Sequence, residues 1–137
     1  MRALARRVAL ALFSTVGLLC GSGCGNPHEE RAVEAIAILG SISDELSKIT
    51  DAASVEAAKP RLEELGNRWR ANERKQSSLK PPGRREMAEL AKKYAAQLDS
   101  AVNRYDSERK RVKKIDGGPE ALAALGNLTG QGLSRND

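Results

Sequence analysis

The stretch that decides the fold is residues 84–115, RREMAELAKKYAAQLDSAVNRYDSERKRVKKI. Its apolar residues recur at alternating steps of three and four, which places them on one face of an α-helix, as in a coiled coil or helical bundle. The row consists of Met87, Ala91, Tyr94, Leu98, Ala101, Tyr105, Val112 and Ile115, with polar Glu108 at one of its positions. The sequence therefore predicts one long amphipathic helix over these residues.

Two shorter rows with the same spacing precede this stretch. The first is Ala32, Ala35, Leu39, Ile42, Leu46 and Ile49, and the second is Val55, Ala58, Leu62, Leu65, Trp69, polar Asn72 and Gln76, and Leu79. The rows predict helices over about 30–49 and 52–79, the second with Asp51 as N-cap and Thr50 as the alternative. The second helix ends at Lys80-Pro81-Pro82-Gly83, because proline lacks an amide donor and restricts the residue before it.

Glycines and a proline mark a further boundary after the long helix. Gly117-Gly118-Pro119 ends the third helix, and Pro119 suits the first position of a short fourth helix over about 119–127. Residues 129–137, TGQGLSRND, are predicted to be a disordered tail. Aromatic residues make up only 3% of the chain, which disfavours a β-sandwich or barrel. The predicted fold is all-α: an antiparallel up-down-up three-helix bundle or coiled coil, with the short fourth helix folded back on it.

Three residues are unusual for helix interiors. Pro60 lies too deep for the first turn of the second helix, so a kink or a break is expected there. Gly40 and Gly66 each cost about 1 kcal/mol inside a helix, and they are expected to mark close approaches between helices.

The predicted helix lengths also describe one end of the bundle. At 1.5 Å per residue the first helix is about 30 Å long, the second about 42 Å and the third about 48 Å. The first helix is thus about 12 Å too short to accompany the second, and polar Asn72 and Gln76 lie in the unaccompanied part. The loop between the second and third helices is therefore expected to form a two-helix tip, on the side where the first helix begins.

Residues 1–24, MRALARRVALALFSTVGLLCGSGC, have the layout of a secretory signal. Arginines open the segment, an apolar run of about 12 residues follows, and small residues precede Cys24. The apolar run is well below the roughly 20 residues that a membrane-spanning helix needs. Residues 1–23 are therefore predicted to be a signal peptide, and residues 24–28 a tether.

The end of this segment resembles the lipobox of bacterial lipoprotein precursors. Ser22 and Gly23 match the small residues of that motif and Cys24 takes the place of its cysteine, whereas Gly21 stands where the family usually has leucine. The resemblance covers residues 1–24 alone. It implies that a dedicated signal peptidase cuts before Cys24 and that this cysteine carries a diacylglyceryl group, with cleavage by the ordinary peptidase as the alternative. The implied location is a bacterial membrane, with the protein facing the periplasm or the exterior.

The charge of the whole chain overstates the charge of the mature protein. The chain has 23 basic and 18 acidic residues, a net charge of +5, which is typical of proteins that bind nucleic acid. Three basic residues leave with the signal, which reduces the net charge to +2, and export separates the protein from the genome. Nucleic acid is therefore not an expected partner. The remaining charge is uneven, at −5 over residues 29–67 and +9 over residues 68–114.

Much of the positive charge surrounds the predicted tip. Residues 68–85 contain one acid, Glu73, and seven bases: Arg68, Arg70, Arg74, Lys75, Lys80, Arg84 and Arg85. Basic residues near an anionic membrane contribute about 1 kcal/mol each within a Debye length of about 8 Å, so these seven are the candidate contact for an anionic surface. A solvated loop, partly paired with the acids of the first helix, is the alternative.

A second basic cluster closes the third helix. It consists of Arg109, Lys110, Arg111, Lys113 and Lys114. Cations at this position interact favourably with the helix dipole and need no ligand, and polyanion binding is the alternative.

The sequence has no set of residues typical of catalysis. The only histidine, His28, lies in the predicted tether. Cys20, Cys24 and His28 are spaced by four residues, as metal ligands on one helical face would be, but Cys20 leaves with the signal. An enzyme, a small-molecule substrate, a cofactor and a metal are therefore not expected.

Two functions fit these features. The favoured one is a membrane-tethered helical envelope lipoprotein with a scaffolding or adaptor role, which binds an envelope protein or a second copy of itself through its helical faces. The alternative is a binding module for anionic lipids or envelope polymers, which acts through the basic tip.

Overall fold

Residues 25–126 and residue 128 are described by a computed structural model that consists of four α-helices joined by short loops. The helices are α1 (Pro27–Ser47), α2 (Ala52–Ser77), α3 (Arg84–Val112) and α4 (Gly118–Leu125). The described residues contain no β-strand. The predicted all-α bundle is therefore confirmed, whereas the predicted signal peptide, Cys24 and the tail 129–137 lie outside the described residues.

Contacts between the helices show the up-down-up order. Asn72, near the end of α2, contacts Arg31 in the second turn of α1, so the two helices are antiparallel. Arg111, near the end of α3, reaches the carbonyl oxygen of Leu46 near the end of α1, so these two helices are parallel. We call the end with the start of α1 and the loop 78–83 the proximal end, and the opposite end the distal end. At 1.5 Å per residue, α3 extends over about 43 Å between them.

The first helix lies between α2 and α3. It packs against both, whereas no Cα atom of α2 lies within 8 Å of a Cα atom of α3. Because α1 is covered on two sides, it buries Ile38 and Ser43 in addition to the predicted row. The Ser43 hydroxyl donates a hydrogen bond to the carbonyl oxygen of Leu39 at 2.9 Å, so burial leaves it satisfied. The spacing argument missed both residues because it assumes a single buried face.

The short fourth helix folds back along α2 and also touches α3. Gly66 allows the close approach, since a Cβ atom there would lie 2.2 Å from the carbonyl oxygen of Leu125. Gly117 starts the helix with φ 75°, in the left-handed region that favours glycine. The expected close approach is thus confirmed at Gly66, but it is wrong at Gly40, where a Cβ would meet nothing within 4 Å.

The buried core is concentrated in the distal half. Residues with less than 2% exposure include Ile38, Leu39, Ile42, Leu46, Ile49, Val55, Leu62, Leu65, Val112 and Leu125. In contrast, α3 buries only Tyr105 and Val112 of its 29 residues. Near its start, Met87 is 53% exposed. The proximal half of α3 therefore adds little to the core.

The second helix continues unbroken through Pro60 from Ala52 to Ser77, so of the two expected outcomes, a kink or a break, the break is wrong. Proline has no N–H for the carbonyl oxygen four residues earlier, that of Glu56. Both Pro60 and Glu56 are exposed, so water can supply the missing hydrogen bond.

The first helix begins at Pro27, earlier than predicted, because the Asn26 side chain caps it by accepting a hydrogen bond from the His28 N–H at 2.9 Å. Residues 27 and 28, predicted to be tether, thus belong to α1. His28 Nε2 lies 3.0 Å from the carbonyl oxygen of Lys80 in the loop after α2. The expected two-helix tip is therefore wrong: α1 accompanies α2 to the loop, and Asn72 is buried rather than unaccompanied.

Candidate functional site

Two of the seven cations predicted to contact an anionic surface are held by the bundle itself. Arg68 pairs with Glu34 of α1 at 2.9 Å. Arg70 donates hydrogen bonds to the carbonyl oxygen of Leu125 at 2.9 Å and to Asn67 Oδ1 at 2.8 Å. Arg68 and Arg70 therefore fasten α2 to its neighbours.

The other five cations are exposed, and their side chains have no ionic or hydrogen-bond partner among the described residues. We call them the proximal cations: Arg74, Lys75, Lys80, Arg84 and Arg85. They occupy the last turn of α2, the loop after it and the first turn of α3. The fold thus brings together, at one end, the five predicted cations that it does not use elsewhere.

The start of the described chain lies at this same end. His28 Nε2 contacts the carbonyl oxygen of Lys80, which is itself one of the proximal cations. Gly25 is three residues before His28, so its Cα atom lies within about 11 Å of the His28 Cα atom by chain length alone. The residue that follows Cys24 is therefore close to the proximal cations.

A polar clamp joins the starts of α1 and α3. Glu29 accepts hydrogen bonds from Lys93 Nζ and from the Tyr94 hydroxyl, the second at 2.5 Å. The hydrogen bond with Lys93, followed by that with Tyr94, holds the pKa of Glu29 below its usual value. The same contact with Glu29 raises the pKa of Lys93. Glu29 is thus paired with Lys93 of α3 and not with any of the proximal cations.

The basic cluster at the end of α3 is also divided. Arg111 donates hydrogen bonds to the carbonyl oxygens of Ile49 at 2.6 Å and Leu46 at 2.7 Å, and it pairs with Glu108 at 2.8 Å. Arg111 therefore joins the end of α3 to the last turn of α1 and to the loop after it. Sequence reasoning missed this contact because the offset between α1 and α3 cannot be read from either row alone.

The remaining four residues of that cluster are exposed, without a side-chain partner among residues 25–126 and 128. We call them the distal cations: Arg109, Lys110, Lys113 and Lys114. The molecule thus presents two sets of cations, one at each end of α3.

Other kinds of site are not assembled in the part of the chain that the structure describes. No group of three or more histidine, cysteine, aspartate and glutamate side chains there is arranged to hold a metal ion. None of its helices is sufficiently long and apolar to cross a membrane. Comparisons of the chain with models of protein families, with curated proteins and with solved structures find no match.

Proposed function

We propose that this protein is a lipid-anchored helical module of a bacterial envelope, whose proximal end lies against an anionic membrane surface. The contact between His28 and Lys80 is the observation that carries the proposal, because it brings the start of the described residues to the end that holds the proximal cations. His28 is four positions after Cys24, so their Cα atoms are at most about 14 Å apart. A lipid on Cys24 would therefore hold the proximal cations near the headgroups.

The charge of the proximal end supports this orientation. Each exposed base near an anionic leaflet contributes about 1 kcal/mol, and the effect decays within a Debye length of about 8 Å. Over residues 73–89 these five bases outnumber the three acids, Glu73, Glu86 and Glu89, by two, so this end keeps an excess of positive charge that favours the orientation. Met87 follows Arg84 by one helical turn and is 53% exposed, so an apolar side chain that can enter the interface lies beside the cations.

Vesicle co-sedimentation tests the membrane contact. The chain from Gly25 onward, checked for helicity by circular dichroism, is expected to bind phosphatidylglycerol-containing vesicles and not pure phosphatidylcholine vesicles. Changing Arg84 and Arg85 to glutamate is expected to weaken binding by about tenfold or more. The matched control, Arg109→Glu/Lys110→Glu at the distal end, should retain it. Unchanged binding by the Arg84→Glu/Arg85→Glu variant would contradict the proposal.

The lipid anchor has its own test. Cells that express the full chain are grown with a clickable fatty acid, and the labelling of the wild type is compared with that of Cys24→Ala. The wild type is expected to be labelled and the variant is not. Equal labelling of both proteins would rule out Cys24 as the anchored residue.

A scaffolding or adaptor role is a second candidate, favoured by the exposed apolar residues of the proximal half. Val33 is 46% exposed on α1, and Met87 is 53% exposed on the parallel helix α3. If the protein binds a second copy through these residues, its mass in analytical ultracentrifugation will rise with concentration. The rise should disappear in Val33→Asp/Met87→Asp. A constant monomer mass would exclude self-association.

A further inference from the structure

The distal cations form a continuous band at the end of α3. Successive residues of an α-helix are rotated by about 100° and rise 1.5 Å, so the four residues fall within an arc of about 140° and a length of about 8 Å. Lys113 retains right-handed helical geometry, and the Lys114 N–H still bonds the carbonyl oxygen of Arg111, so the helical path continues through the band. The four charges therefore lie side by side on one surface.

This band faces away from the core. Tyr105 and Val112 mark the buried side of α3, and the centre of the band is rotated by about 120° from them. The helix dipole does not account for four cations, since the C-terminus of a helix carries only about half a negative charge. Glu108 is already paired with Arg111, which leaves Asp106 and Asp116 as the nearest acids along the chain. The band thus keeps excess positive charge.

The band is also remote from the proximal end. The two are separated by the length of α3, about 43 Å, whereas electrostatic attraction through salt solution decays within about 8 Å. In the orientation of the proposed function, on which this step rests, the anchoring membrane cannot neutralise the distal cations.

The surroundings of the band favour a polymer over a second membrane. The large hydrophobic side chains that the described residues expose are Val33 and Met87, and both lie in the proximal half. A surface that enters a membrane interface combines cations with exposed apolar side chains, as the proximal end does. The distal band offers cations without them. We propose that the distal cations bind a linear polymer that carries repeated carboxylate or phosphate groups, so that the bundle connects this polymer to the membrane.

The test compares two variants that each lose four positive charges. The full chain in phosphatidylcholine vesicles is mixed with fluorescent polyglutamate or polyphosphate, and the bound fraction is measured. The distal variant is Arg109→Gln/Lys110→Gln/Lys113→Gln/Lys114→Gln. The proximal variant is Arg74→Gln/Lys75→Gln/Arg84→Gln/Arg85→Gln. Polymer affinity is expected to fall by about tenfold or more in the distal variant and by less than threefold or so in the proximal one.

Several outcomes would overturn the inference. Equal losses in the two variants would show unspecific attraction to positive charge, and no loss in the distal variant would place binding elsewhere. Binding of the distal cations to phosphatidylglycerol vesicles but to neither polymer would identify a second membrane as the partner. Binding to one polymer alone supports the inference and distinguishes carboxylate from phosphate.

Chemical coupling keeps the inference testable if the distal variant does not fold. Trp69, the only tryptophan of the chain, is 6% exposed, so its fluorescence reports whether each variant is folded. In the wild type, carbodiimide couples lysines to polyglutamate carboxylates that lie next to them. Coupled peptides are expected at Lys110, Lys113 and Lys114, and equal coupling at Lys75 and Lys80 would overturn the inference.

The Cys24→Ala variant separates this inference from the proposed function. Its binding to the polymers is measured in detergent micelles, where no anchor is needed. If the polymers bind but the wild type is not labelled by the fatty acid, the proposed membrane anchor is wrong and the distal polymer site is supported. If the wild type is labelled but the polymers do not bind, the distal polymer site is wrong and the membrane anchor is supported.

Discussion

The distal and proximal halves of the bundle are stabilised by different interactions. The distal half packs fully buried side chains, among them Ile42, Leu46, Ile49, Val55 and Leu62. The proximal half joins its helices through polar contacts, chiefly Glu29 with Lys93 and Tyr94, and Arg31 with Asn72. Exposed ion pairs contribute about 0–1 kcal/mol each, whereas a buried leucine contributes about 2 kcal/mol. We therefore expect the distal half to contribute more to the stability of the fold than the proximal half.

The largest expected effect compares two leucine truncations. Leu62 is completely buried, so Leu62→Ala should lower the free energy of unfolding by about 2–5 kcal/mol. Leu90 is half-buried in the proximal half of α3, so Leu90→Ala should lower the free energy of unfolding by about 1 kcal/mol or less. Urea denaturation followed by Trp69 fluorescence measures both. Similar losses at the two sites would contradict the difference between the halves.

A second comparison uses two glycines at different distances from the fourth helix. In Gly66→Ala the new methyl group would overlap the carbonyl oxygen of Leu125, so α4 must move and stability should fall by about 1–3 kcal/mol. In Gly40→Ala the methyl group meets open space, and stability should rise by up to about 1 kcal/mol. The denaturation midpoints of the two variants and the wild type, compared at equal m-value, give both changes in stability. A stabilising Gly66→Ala would show that α4 does not pack on α2 as described.

A third comparison concerns polar residues on one face of α2. Asn72 is 4% exposed, and it both donates a hydrogen bond to the Arg31 carbonyl oxygen and accepts one from the Arg31 guanidinium, each at 3.2 Å. Asn72→Ala should cost about 1–2 kcal/mol, because it removes both hydrogen bonds that join Arg31 to α2. Gln76→Ala, at an exposed position one turn later, should change stability by less than about 0.5 kcal/mol. Equal effects would show that α1 does not cover α2 at this end.

The smallest effect is the acid dependence of stability. Hydrogen bonds from Lys93 and Tyr94 hold the pKa of Glu29 below its usual value, and those from Ser54 do the same for the pKa of Asp51. Because both values are depressed in the folded state, these groups stabilise the fold above their usual pKa values. That stabilisation is lost as the pH falls through the folded values. Urea denaturation at successively lower pH measures this loss. Glu29→Gln should make the free energy of unfolding fall less on acidification, as should Asp51→Asn, which retains an N-cap. The same pH dependence of the free energy of unfolding in the wild type and both variants would contradict these assignments.

The spacing of apolar residues predicted burial well in α2 and poorly in α3. The row from Val55 to Trp69 is buried as predicted, because α2 is covered by α1 and α4. Met87 and Ala91 belong to an equally regular row and are exposed. Spacing identifies the face of a helix that can be buried, but burial requires a helix opposite that face. The neighbours of α3 depend on the position of α1 between α2 and α3, which neither row encodes.

For the charged residues of the candidate site, sequence-based prediction is limited in the same way as for buried apolar residues. Counting bases identified residues 68–85 and 109–114 as the basic stretches of the chain. It could not distinguish Arg70 and Arg111, which bond backbone carbonyls of other helices, from Arg74 and Arg109, which have no side-chain partner in the described structure. Whether a cation is paired depends on the offset between helices, and that offset is a property of the folded molecule.

The parallel arrangement of α1 and α3 has a mechanical consequence. A pull applied at Gly25 and at the end of α3 acts on opposite ends of this helix pair, so the load slides the two helices along each other. The cross-helix contacts of Glu29 with Lys93, Asp44 with Arg104 and Leu46 with Arg111 are then strained at the same time. An interface sheared in this way must lose all of its contacts together, whereas one that is peeled loses them in turn. The bundle therefore resists tension along its long axis better than tension across it.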